Sequence, residues 1–175
     1  SRGRAPRVRL WVWRMTRTIA LLPGDGIGPE VVAAAVAVLD AVAGRYGHTW
    51  RFRRADVGAA ALYAGASALP QQTMAIVQDA DAVLLGAVGA PAFDHLPPGA
   101  RPESALLELR QTLGTFANIR PARAWPGLER IGPLRPTVLA GTDLVVVREL
   151  TGGLYYGHPR RYAPGDGDAV NTMRY

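Results

Sequence analysis

The sequence has no cysteine, which excludes disulfides, thiolate metal sites and cysteine nucleophiles. It has no lysine either: all 20 of its basic residues are arginine. Chemistry that needs a lysine is therefore beyond this chain alone. No run of about 18 apolar residues occurs, so no transmembrane helix is expected. Acids are missing from residues 1–17, which carry six arginines. From Thr18 onward, 14 arginines meet 14 acids, so the basic excess belongs to the N-terminal stretch. A nucleic-acid binder needs a basic face on its folded unit, so this distribution weakens that reading. Charged residues make up 19% and hydrophobic residues 49% of 175 positions, which suits a globular chain of about one domain.

Residues 1–14 read as an extension upstream of Met15, with an Arg-rich targeting segment as the alternative. TIALLP (18–23) reads as a buried strand, and VVAAAVAVLDAVAG after GDGIGPE as a helix that Gly44 or Gly47 can end. Residues 49–57 alternate as a strand with one wet face. Short Ala-rich helices follow over 58–66 and 70–79, then a continuous apolar strand, DAVLLGAV (81–88). Strand–helix–strand alternation predicts an α/β chain with a mostly parallel sheet flanked by helices. A long Gly/Pro loop over 89–102 follows the strand, and ligands of open α/β sheets bind beyond strand carboxyl ends. Residues 103–113 read as a helix ended by Gly114, 116–124 and 143–150 as strands, and LYYG as a continuation after TGG. The stretch 158–168 reads as polar turns, and AVNTMRY as a strand in which the sequence stops, as expected of a piece of a longer chain.

The residues themselves leave two readings open at most sites. GDGIGP does not meet the G-x-G-x-x-G dinucleotide fingerprint; it is a tight turn into a helix N-terminus, structural or anion-attracting. Glu103, Leu106, Leu107 and Arg110 share one helical face. Its leucines are either core or the contact for an apolar substituent beside a carboxylate-holding arginine. Arg120 and Arg148 sit in strands, and arginine offers a planar bidentate fork for carboxylates. Convergence of three such forks would suit a di- or tricarboxylic acid; singly, each reads as a surface or ion-pair residue. Tyr155 is either a proton donor or a packed aromatic, and Asp94 either a loop cap or a ligand contact. His48, His95 and His158 show no metal spacing.

LLPGDGIGPEV, GAVGAP, RPESALLELR, FANIRP and DLVVVRELTGGLYYG, in this order, resemble the β-decarboxylating dehydrogenases of 2-hydroxy acids. The acid and paired leucines of RPESALLELR are most similar to the isopropylmalate branch; tartrate- and isocitrate-type enzymes are the alternatives. The resemblance runs from Met15 to Tyr175, about the first half of the family's usual chain. GAVGAP departs from the pattern, with Ala90 where a second glycine is usual.

What the resemblance implies is an incomplete, non-Rossmann fold: a first α/β domain over 15–114 and the start of a dimerisation domain over 115–175. It implies Leu106 and Leu107 at the substrate's isopropyl group and Arg110, Arg120 and Arg148 on its carboxylates. Ile27, Gly89, Ala90, Pro91, Asp94, Pro102 and Glu103 would border NAD. Tyr155 would be the catalytic proton donor. Mg2+ or Mn2+ is implied, with no ligand in this chain; its aspartates and the family's catalytic lysine would lie beyond it. The implied reaction is oxidation of a dicarboxylate 2-hydroxy acid followed by loss of CO2 and protonation, in leucine synthesis. A cytoplasmic homodimer is implied, with neither nucleic acid nor membrane as partner. The chain alone is expected to be inactive and marginally stable. A non-catalytic carboxylate- or nucleotide-binding remnant is the alternative, and an Arg-tail nucleic-acid binder the remotest.

Overall fold

The computed structural model describes residues 16–128, 130–150, 152–153, 156–162 and 169–173. The expectations for residues 1–14 lie outside them. The described chain forms two compact units, one ending at Leu107 and the other beginning at Glu108.

In the first unit, strand β1 (Thr16–Gly24) leads through a tight turn into helix α1 (Gly28–Tyr46). Pro29 lies in the helix's first turn, where its missing N–H costs nothing, and Gly47 closes it at φ 71°. Strand β2 (Thr49–Arg54), helices α2 (Ala59–Tyr63) and α3 (Gln71–Asp79), and strand β3 (Ala82–Ala87) follow. The sheet order is β2-β1-β3, with both neighbours parallel to β1, Ile19 opposing Phe52 on one side and Ala82 on the other. Parallel pairing requires crossovers, which the intervening helices supply. Ala20, Leu22, Val32, Val57 and Val77 form the buried core, as the apolar runs anticipate.

Helix α1 reaches the sheet through glycines. A Cβ at Gly28 would run into the Pro23 carbonyl oxygen and meet the Ala87 nitrogen at 2.9 Å. One at Gly86 would strike the same carbonyl and lie 2.9 Å from Gly28 Cα. Two facing glycines thus bring helix and strand backbones together at the sheet's carboxyl end. The segment after β3 contains two 3-10 turns, Pro91–Phe93 and Pro98–Ala100, and leads to helix α4 (Ser104–Leu113).

The second unit contains an antiparallel pair, β4 (Ala117–Arg123) and β5 (Asp143–Glu149), with Ile119 opposite Val147. A short helix α5 (Pro136–Leu139) interrupts the Pro/Gly-rich link between them. Two expectations need correction here. Tyr156 and Gly157 do not continue a strand: their amides turn back to the Gly153 carbonyl, at 3.4 and 3.2 Å. Gly153 has φ 80°, which reverses the chain. Residues 160–162, read as part of a polar turn, form strand β6 (Arg160–Tyr162), antiparallel to β7 (Ala169–Asn171). Backbone pairing across the two segments decides this, and a three-residue strand carries no period to detect. Among the described residues, no helix is long and apolar enough to cross a membrane.

Candidate functional site

The turn between β1 and α1 is organised by Asp25, which is only 6% exposed. Its Oδ2 accepts from the amides of Ala59 (2.8 Å) and Gly89 (2.9 Å), and its Oδ1 from the amide of Ala60 (2.8 Å). Its own amide donates to the Ala87 carbonyl at 2.7 Å. The carboxylate therefore joins three places: the GDGIGP turn, the first turn of α2 and the start of the 89–102 loop. Burying a carboxylate is costly unless charge-assisted bonds replace its water, and three backbone amides do so here. Sequence reasoning missed Asp25. The only local signal was an acid between two glycines, and its partners lie 34 to 64 residues away.

Of the residues expected to border a cofactor, Gly89 bonds Asp25 directly and Glu103 lies beside Gly89. Ile27, in the same turn, is 57% exposed, an apolar side chain presented outward. Gly89 has φ 138°, and a Cβ there would stand 2.8 Å from Glu103 Oε1. The Glu103 carboxylate thus lies over the Gly89 backbone, and the positive φ there favours glycine. Ala90 is half-buried, whereas Pro91 and Asp94 are exposed. Asp94 acts as the C-terminal cap residue of a 3-10 turn through its backbone, with its amide donating to the Pro91 carbonyl at 3.1 Å. Pro102 is fully buried, so its place is in the packing beneath the loop. The second half of the loop is braced by Arg101 Nε donating to the Leu96 carbonyl (2.8 Å) and Ser104 Oγ to the Arg101 carbonyl (2.7 Å).

Helix α4 separates packing from presentation. Ala105 (1% exposed) and Leu109 (5%) are its buried pair, one turn apart. Leu106, Leu107 and Arg110 remain half-buried beside them, and Glu103 precedes the helix, exposed. The leucines of this face are therefore not the helix's core contacts. Arg110 stands in the last turn, where a cation faces the helix's negative end favourably.

Arg120 and Arg148 lie on one face of the β4–β5 pair. Arg148 is directly opposite Asn118, and Arg120 is two residues along from Asn118, on the same side. Arg120 Nε donates to Asn118 Oδ1. Diagonal neighbours of this kind are about 7–8 Å apart, close enough for both guanidiniums to reach one small ligand. The opposite face carries Ile119, Val145 and Val147, all exposed.

Tyr155 lies outside the described residues. His48, His95 and His158 are exposed and scattered. Among the described residues, no three His, Asp or Glu side chains are grouped so as to hold a metal ion.

Residues 18–175 match the isocitrate/isopropylmalate dehydrogenase family. A curated 3-isopropylmalate dehydrogenase of Moorella thermoacetica is 52% identical over 90% of this chain, which spans 44% of that protein. One of Synechocystis is 48% identical over 91% of the chain and 45% of the relative. The crystal structure of isocitrate dehydrogenase from Methylococcus capsulatus superposes with a TM-score of 0.66 at 30% identity, over 90% of this chain and 42% of its own. The chain thus spans less than half the length of the relatives it matches. With the α/β fold, the GDGIGP turn and a match over nearly all of its length, this chain belongs to the isocitrate/isopropylmalate dehydrogenase family.

Proposed function

We propose that this chain forms the N-terminal part of an NAD-dependent 3-isopropylmalate dehydrogenase, which oxidises and decarboxylates 3-isopropylmalate to 4-methyl-2-oxopentanoate in leucine synthesis. The observation that carries this reading is the division of labour on α4. Ala105 and Leu109 take the packing, which frees Leu106 and Leu107 for an apolar substituent one turn from the cation Arg110. The 52% identity with the Moorella enzyme supports the same substrate.

In this reading Arg110, Arg120 and Arg148 bind the two carboxylates of the substrate, bidentate where the geometry allows. Leu106 and Leu107 contact the isopropyl group. A hydroxylated or carboxylated substituent at that place would lose its hydration against two leucines, which disfavours isocitrate and tartrate. Tyr155 gives a proton to the enolate carbon after CO2 leaves.

The residues near Asp25 suit NAD. Glu103 offers a carboxylate acceptor to the carboxamide of the nicotinamide end, Ile27 an exposed apolar contact, and Gly89, Ala90 and Pro91 a backbone border. Asp94 lies farther along that border, and buried Pro102 supports it from beneath. NAD bound there supplies the hydride acceptor for C2 of the substrate. The described residues do not fit a divalent cation, so Mg2+ or Mn2+ is given no ligand and no step here. A cytoplasmic homodimer completes the proposal.

The test is a comparison of kcat/KM for 3-isopropylmalate, isocitrate and tartrate, followed by NADH absorbance with the native protein that carries this sequence. Preference for 3-isopropylmalate is expected. Preference for either other acid, or binding of 3-isopropylmalate without turnover, overturns the reading.

A further inference from the structure

We propose that Asp25 is the positioning residue of the 89–102 loop, holding it and Glu103 against helix α2. Three observations meet in this inference. The Asp25 carboxylate is buried and takes its hydrogen bonds from both sides of the junction, from Ala59 and Ala60 on α2 and from Gly89 on the loop. The approach on the α2 side depends on Gly58, at φ 72°, where a Cβ would come 2.8 Å from the Val88 side chain and crowd Asp25 Oδ2. A second tie lies farther along: the rings of Tyr63, at the end of α2, and Phe93, in the loop, are 4.9 Å apart and tilted by 59°.

The loop and α2 are thus joined at two points along their length. One is a buried charge-assisted node and the other an aromatic pair on the outside, where Tyr63 is exposed. Gly89 belongs to the first of these points. Its amide faces Asp25, and its α-carbon faces Glu103. A shift at the node therefore moves the backbone that Glu103 lies over. Asp25 touches neither substrate nor cofactor in this account; it acts through Gly89. That the loop borders NAD rests on the proposed function. The joining of loop and α2 does not.

Amide hydrogen exchange in the full chain tests the joining directly. In the unsubstituted protein, the Gly89 amide is expected to be protected together with those of Ala59 and Ala60, because one carboxylate holds all three. Gly89 exchanging as fast as Gly99, in the exposed part of the loop, overturns the proposal whether or not any variant folds. In Asp25→Asn, protection at Gly89, Ala59 and Ala60 is expected to fall together, by about tenfold or more, the effect of one lost charge-assisted bond. Val32, on α1, keeps its protection. Loss at Gly89 with Ala59 and Ala60 unchanged contradicts a shared node.

Kinetics of the native protein then separate the two readings. Asp25→Asn is expected to raise KM for NAD about tenfold and leave KM for 3-isopropylmalate within about twofold, with Asp25→Glu restoring part of the loss. An exchange effect at all three amides together with a rise in KM for substrate but not for NAD sinks the cofactor role of the loop and leaves Asp25 as its anchor. Unchanged exchange at the three amides sinks the anchor itself.

Discussion

Arg120 and Arg148 project from the same face of the β4–β5 pair, diagonal to each other across Asn118. Neither strand alone places them so; the antiparallel register does. An anionic ligand lying between them could accept from both guanidiniums. Arg120→Met and Arg148→Met are each expected to lower kcat/KM for 3-isopropylmalate by about tenfold to a hundredfold, the usual effect of losing a charged hydrogen bond. Arginine-to-lysine changes restore little, since a point charge does not replace a bidentate fork. Steady-state NADH assays of the native protein check this, and full activity in either Met variant contradicts the clamp.

In the proposed function, substrate choice falls to α4. Leu106→Ser removes apolar contact without opening the core, because Ala105 and Leu109 are the buried pair. Selectivity for 3-isopropylmalate over its analogue without the isopropyl group is expected to fall by about tenfold, the worth of an apolar contact of this size. The thermal midpoint is expected to fall less than in Leu109→Ser, because Leu106 is half-buried and Leu109 is buried. A large loss of stability with unchanged selectivity would mean that Leu106 is core after all.

Gly28→Ala tests the packing at the sheet's carboxyl end. The added methyl runs into the Pro23 carbonyl and the Ala87 nitrogen, both backbone atoms that cannot swing away. The cost expected is about 3 kcal/mol, at the upper end of overpacking effects. By contrast, Asp79→Asn breaks the Arg53–Asp79 ion pair (2.7 Å), whose carboxylate is 75% exposed, and is expected to cost under about 0.5 kcal/mol. Urea unfolding of the two variants gives both numbers; equal effects would contradict the ranking.

The 175-residue chain by itself is expected to form no NADH from 3-isopropylmalate, NAD and Mg2+. It has no lysine, and its described residues bring no three metal-ligating side chains together. Turnover by the purified chain, free of contaminating dehydrogenase, refutes this.

Much of the first unit was legible because its signals are local. The apolar run of β1 and the glycine stop of α1, read as Gly44 or Gly47 and found at Gly47, lie within a few residues of what they determine. Asp25 was not legible because its partners come from two other segments, brought to it only by the parallel sheet. Strand β6 escaped for a related reason: three residues, two of them arginines, become a strand only through Ala169–Asn171. The shared face of Leu106, Leu107 and Arg110 was visible in the spacing. Which face of α4 is buried was not, since Ala105 and Leu109 show their role only once packed.

The most direct test of the central claim is a structure of the native protein with 3-isopropylmalate bound. The account predicts the guanidiniums of Arg110, Arg120 and Arg148 within hydrogen-bonding distance of the substrate carboxylates, and Leu106 in contact with the isopropyl group. A substrate held by other cations, with its isopropyl group away from α4, would contradict it.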